Sequence, residues 1–162
     1  MVFPGGKRDP TDESVLHTAL REMQEEIFID PSVVEVLGEY SPIPNQGCTL
    51  KVHPFVGLIK QPIQDIEKDI RFNPDEVQRV FSVPMEHFMD PTKRLMVQFR
   101  NSKLLYPTWK IDDPAITIWG LTAFILDGVL RCIAKGGPVD AEEIKEGMDV
   151  KQYKPSKPSA FV

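Results

Sequence analysis

The chain predicts an α+β fold, an α/β/α sandwich, from three observations. Leu16, Ala19, Leu20, Met23 and Ile27 recur at helical spacing and mark one buried helix stripe. Between residues 33 and 119, short runs rich in Val, Ile, Phe and Tyr alternate with Pro, Gly, Asn and Asp, the pattern of strands and turns. A second apolar helical pattern then covers 120–135. A long helix, a series of strands and a closing helix bury their apolar faces by stacking in layers.

The elements follow in order. Pro4-Gly5-Gly6 is a turn signal. The first helix begins near Asp12 to Ser14, both N-cap types, with Glu13 placed to favour its first turn. Asp30-Pro31-Ser32 breaks it. Val33 to Tyr40 reads as a strand, Ser41 to Gly47 as a loop, and Thr49 to Lys60 as a strand that Pro54 confines to an edge or a bulge. Gln61 to Asp75 is polar and reads as a loop, Glu76 to Val83 as a strand, and Pro84 to Met89 as a short helix. Arg94 to Arg100 and Leu104 to Lys110 pair as a hairpin across Asn101-Ser102-Lys103. Ala115 to Trp119 is a strand, with Trp119 a large core residue at its end. Gly120 to Lys135 is the second main helix, with Leu121, Phe124, Ile125, Val129 and Cys132 on one face, and Gly136-Gly137-Pro138 stops it. The expected domain is 1–135, and the apolar-poor tail 136–162 reads as mostly disordered.

Composition narrows the function classes. With 162 residues the chain can bury a real core. A net charge of −5 and no basic stripe argue against nucleic acid as a partner. Cys48 and Cys132 lack metal-ligand spacing and read as buried, reduced thiols. The apolar run 115–134 is interrupted by Asp127 and Arg131, each costing about 2.5–3.5 kcal/mol at a bilayer centre, so a core strand and helix is expected and no membrane span. The N-terminus runs straight into the glycine turn without a signal peptide, and the C-terminus is not an SKL-type signal, so an intracellular site is expected.

Chemistry concentrates on the first helix. Glu22, Glu25 and Glu26 stand at i, i+3 and i+4, neighbours on the helix surface. Like charges so placed repel by roughly 0.2–0.5 kcal/mol per pair. A hard cation such as Mg²⁺ reverses that sign, and it also takes phosphate oxygens as ligands. On this spacing alone a solvated acidic face is the better reading. His17, His53 and His87 have no partners at ligand spacing and read as structural or surface groups, with His17 one turn before Arg21.

The wider stretch, FPGGK followed by Arg21-Glu22-Met23-Gln24-Glu25-Glu26, resembles the Nudix box, G-x5-E-x7-R-E-U-x-E-E-x-G-U with U aliphatic. From Glu13 onward the spacing fits, through Arg21-Glu22, Met23, Glu25-Glu26 and Ile29. There are two departures. Six residues separate Gly6 from Glu13, which places an extra residue in the Lys7 to Asp12 loop. Phe28 stands where the family has glycine, at a helix exit whose left-handed geometry costs a side chain, so a different exit is expected.

Ile118-Trp119-Gly120-Leu121-Thr122-Ala123 and FPGGKRDP are similar to the coenzyme A diphosphatases of that family. The resemblance implies a small-molecule substrate, coenzyme A or its acyl derivatives, cut at the pyrophosphate to 3′,5′-ADP and 4′-phosphopantetheine. It implies Mg²⁺ or Mn²⁺ held by Glu22, Glu26 and the Gly6 carbonyl, Glu25 as ligand or base, Arg21 orienting the glutamates, and Lys7 on the substrate. Glu76 is a second base candidate and reads equally well as a surface residue. The resemblance also implies a mixed sheet between the helices, and a peroxisomal or mitochondrial site, with a cytoplasmic one otherwise. The family's sequence continues upstream of FPGG with a strand, so the expected sandwich lacks that strand and is prone to self-association. Two other readings stay open: a non-catalytic Nudix-fold binding module, and a Nudix hydrolase of other nucleoside diphosphate derivatives.

Overall fold

A computed structural model of the protein describes residues 2–45, 49–98, 105–112 and 116–135. The expected tail, the hairpin turn at 101–103 and Cys48 lie outside these. The elements are α1 (Val15–Ile27), β1 (Val34–Glu39), β2 (Ile43–Pro44), β3 (Lys51–Val52), β4 (Phe55–Ile59), α2 (Ile66–Asp69), α3 (Met85–Met89), β5 (Arg94–Gln98), β6 (Leu105–Ile111), β7 (Ile116–Ile118) and α4 (Gly120–Lys135). The α+β class holds. The described strands pair antiparallel throughout, in three small sheets of order β1-β4, β2-β3 and β5-β6-β7, where one mixed sheet was expected. The chain forms two units, 2–42 with 53–83, and 43–52 with 84–135.

The first unit carries α1. Ser14 caps it, its hydroxyl accepting the His17 N–H at 3.0 Å. Glu13 therefore precedes the helix rather than sitting in its first turn. The expected stripe Leu16, Ala19, Leu20, Met23 and Ile27 is half-buried, and Thr18 is the buried residue of α1. The helix ends with Phe28 at φ 52°, its N–H donating to the Gln24 carbonyl. The left-handed exit expected of a glycine is thus kept, with a bulky residue bearing its cost. A 3₁₀ turn at Pro31–Val33, capped by Asp30, leads into β1, which pairs with β4 through a register shift between Val36 and Gly38.

The second unit holds most of the buried core: Ile43, Trp109, Ile111, Ile118, Ala123, Ile125 and Leu130. The hairpin β5-β6 and the helix α4 fall where the sequence puts them. Trp109 is fully buried, edge-on to Phe88 with ring centroids 5.9 Å apart. Asp127 accepts Arg94 Nε at 2.5 Å and Arg131 Nε at 2.9 Å, which pairs the charges that interrupt the apolar run. Among the described residues no helix is long and apolar enough to cross a membrane.

Several expectations are corrected. Residues 76–83 form no strand and run on from a turn at 74–76. Ser41 to Gly47 contains β2, and Pro54 divides the expected long strand into β3 and β4. Trp119 is exposed, 59 % of its surface free, because Ile118 takes the inward position of β7 and Gly120, at φ 66°, turns the chain into α4. Cys132 is a free thiol, half-buried rather than buried, while Thr122, Gly128 and Leu130 join Ile125 on the inward face of α4.

Candidate active site

The loop at Asp9 and α1 meet through one buried carboxylate that the sequence reading did not single out. The Asp12 side chain is 1 % exposed. It accepts Arg21 Nε at 3.0 Å and Arg21 Nη2 at 3.1 Å, a two-pronged ion pair. Thr18 Oγ1 and the Asp9 N–H add bonds of 2.9 Å each. With this many donors, Arg21 first among them, the Asp12 carboxyl lies well below the usual carboxylate range, and Arg21 is held even more firmly protonated than usual. Asp12, not Glu13, is the carboxylate that faces Arg21. Five residues separate it from Gly6, so the box spacing runs true from the glycine, and the extra residue lies between Asp12 and Arg21. That Gly6-x5 count was the signal available in the sequence.

Arg21 then distributes its remaining donors over the helix face. Nη2 reaches Glu22 Oε1 at 2.9 Å and Nη1 reaches Glu25 Oε2 at 2.8 Å. A longer bond of 3.4 Å goes to the Lys7 carbonyl. The expected Arg21–glutamate contacts are therefore present for Glu22 and Glu25. Gly6 lies directly over Glu22: a Cβ at position 6 would come within 2.6 Å of Glu22 Oε2 and closer still to Oε1. Arg8 donates to the Asp12 and Glu13 carbonyls, and the Glu13 N–H donates to His17 Nδ1 at 3.1 Å, fixing the loop ahead of α1. The Lys7 ammonium makes no bond or ion pair among the described residues and is exposed. His53 pairs with Glu39 at 2.7 Å, and His87 Nε2 lies 3.2 Å from the Lys110 carbonyl.

Glu26 is the carboxylate Arg21 does not hold. Burial pushes its carboxyl up, and the charges of Glu22 and Glu76 add to the rise, against a hydrogen bond from the Gly5 N–H. Glu76 is brought there by a turn anchored on α1: the Asn73 N–H donates to the Glu26 carbonyl at 2.9 Å, and the Glu76 N–H to the Asn73 carbonyl at 3.2 Å. Carboxylates that repel one another beside a desolvated member are what a hard divalent cation relieves, so the donor types fit such an ion. Among the described residues no three His, Cys, Asp or Glu side chains converge at ligand distance. Glu22 and Glu25 point to the guanidinium instead.

The fold and this loop–helix site define a class. The NUDIX domain model matches residues 1–105, and the chain belongs to the Nudix domain family. It is 35 % identical over 129 residues to the uncharacterized Nudix hydrolase NudL of Yersinia pestis (strain Pestoides F), and equally to that of Yersinia pseudotuberculosis serotype O:3 (strain YPIII). The match covers 78 % of this chain and 60 % of each relative, so the chain spans about 60 % of the length of these curated relatives.

Proposed function

We propose that the protein is a Mg²⁺- or Mn²⁺-dependent pyrophosphohydrolase that cuts coenzyme A or its acyl derivatives. The products would be 3′,5′-ADP and (acyl-)4′-phosphopantetheine. One observation carries the hydrolase reading: Arg21 fixes Glu22 and Glu25 while Glu26 is left desolvated between Glu22 and Glu76. The name of these relatives, uncharacterized Nudix hydrolase, supports it. The coenzyme A preference rests on the resemblance of IWGLTA and FPGGKRDP.

Glu22, Glu26 and the Gly6 carbonyl would hold the cation. When bound, it supplies polarisation of a phosphoryl oxygen and a more acidic water. The chain's own part is positional. Arg21, anchored on Asp12, holds the Glu22 carboxylate against the glycine turn, and Lys7 is free to pair with the diphosphate charge. A water attacking phosphorus needs a carboxylate to take its proton. Glu25 would serve, with Glu76 the second candidate because it faces Glu26 and Arg21 does not hold it.

The test is turnover of coenzyme A, ADP-ribose and nucleoside triphosphates at fixed Mg²⁺. Coenzyme A should have the highest kcat/KM, and Glu26→Gln should lower kcat at least about 100-fold. Near wild-type turnover by Glu26→Gln sinks the metal assignment. Preference for another substrate leaves only the generic hydrolase. Binding without turnover turns the reading to a non-catalytic module.

A further inference from the structure

Beyond the carboxylate face, α1 leads into a groove of about 410 Å³ within the same unit. Phe28, Ile59, Ile63 and Ile70 form its apolar wall, and Asp30 and Asp69 are its charged residues. Among the described residues no lysine, arginine or histidine lines it. Two carboxylates without a cation repel phosphate. An uncharged chain with apolar stretches faces no such penalty, and Ser32 and Gln61 can meet its amides or hydroxyls.

The groove adjoins the carboxylates along two stretches of chain. Phe28 stands two residues after Glu26. Ile70 stands three residues before Asn73, whose N–H is bonded to the Glu26 carbonyl at 2.9 Å. Three residues span at most about 10 Å. Phe28, 53 % exposed at the groove, offers an aromatic face there.

We propose that this groove is the subsite for the uncharged arm of an asymmetric diphosphate ester, whose diphosphate lies at Glu22 and Glu26. The proposal rests on the hydrolase reading above and adds which half of the substrate goes where. The anionic nucleotide half is directed away by Asp30 and Asp69, and Phe28 discriminates by contact with the arm.

The experiment compares kcat/KM for coenzyme A and for ADP-ribose in the full chain, in Phe28→Gly and in Ile63→Glu. In both variants the ratio of the two values should fall about tenfold, the loss of one aromatic contact or the addition of a third repelling charge. An unchanged ratio in both overturns the proposal. Should the wild type cut neither compound, the hydrolase reading fails by itself, and the groove is then tested by titrating pantetheine, the uncharged arm without a diphosphate, by NMR. Saturable shifts at Phe28 and Ile70 that Ile63→Glu abolishes sustain the groove. Absence of saturable binding overturns it.

Discussion

The two long helices are fixed by different physics. α4 buries five of its 16 residues, Thr122, Ala123, Ile125, Gly128 and Leu130, and packs on β6 around Trp109. α1 buries one of its 13, and that one is Thr18, whose hydroxyl bonds Asp12. Area holds α4, while directional bonds to a buried carboxylate hold the loop end of α1. Packing tolerates small shifts of a helix along its axis. A guanidinium with partners at 2.8–3.1 Å on Asp12, Glu22 and Glu25 does not. The helix that carries the proposed cation ligands is thus the one tied by hydrogen bonds.

The comparison is most easily broken at Trp109. Trp109→Ala should cost about 3–5 kcal/mol of stability, read by urea unfolding, with the site's chemistry untouched in whatever fraction stays folded. If the cost is below about 1 kcal/mol, the second unit is not held by packing. Asp12→Asn tests the other side. It keeps the shape and removes the charge that Arg21 grips, so kcat should fall about tenfold or more with KM little changed. A fall in KM-governed binding alone would mean that Arg21 needs no anchor.

The same residues give opposite pH signatures. Asp12 is depressed in the fold, so its stabilisation is present above the unfolded carboxylate range and fades as pH falls toward its folded value. Glu26 is raised, so the metal-free protein is penalised above the Glu26 pKa and relieved as pH falls through it. Glu26→Gln should therefore raise the metal-free Tm at pH 7, on the order of 1–2 °C, with the gain vanishing toward pH 4. A lower Tm would show that the Gly5 N–H outweighs burial. Phe28→Gly should gain about 0.5–1 kcal/mol in thermal melts by relieving the left-handed torsion. A loss would mean that the ring's contacts exceed its strain.

Legibility in the sequence divides along the same line. α4 was read to its ends because Gly120 and the Gly136-Gly137-Pro138 stop punctuate an apolar pattern, and β5-β6 because two alternating runs flank a turn. Residues 76–83 alternate equally well yet form no strand, since a pattern reports propensity and not the presence of a partner edge. At the site, the box spacing marked Arg21 and the glutamates. It did not reveal that Asp12 is buried and anchors Arg21, because side-chain bonding depends on how the loop folds back on α1. Trp119 was misread because size suggests burial, whereas the strand's parity turns it outward.

The paired glycines of the turn are restricted for unrelated reasons. Gly5 has open space around it but a φ of 154°, so handedness is what bars a side chain there. Gly6 is barred by volume: a methyl group would push the Glu22 carboxylate off Arg21. An inverted stereocentre would ease the torsion at position 5 and could do nothing for the crowding at position 6. Neither position can compensate for the other, and a single base change in either codon strikes the loop through a different fault.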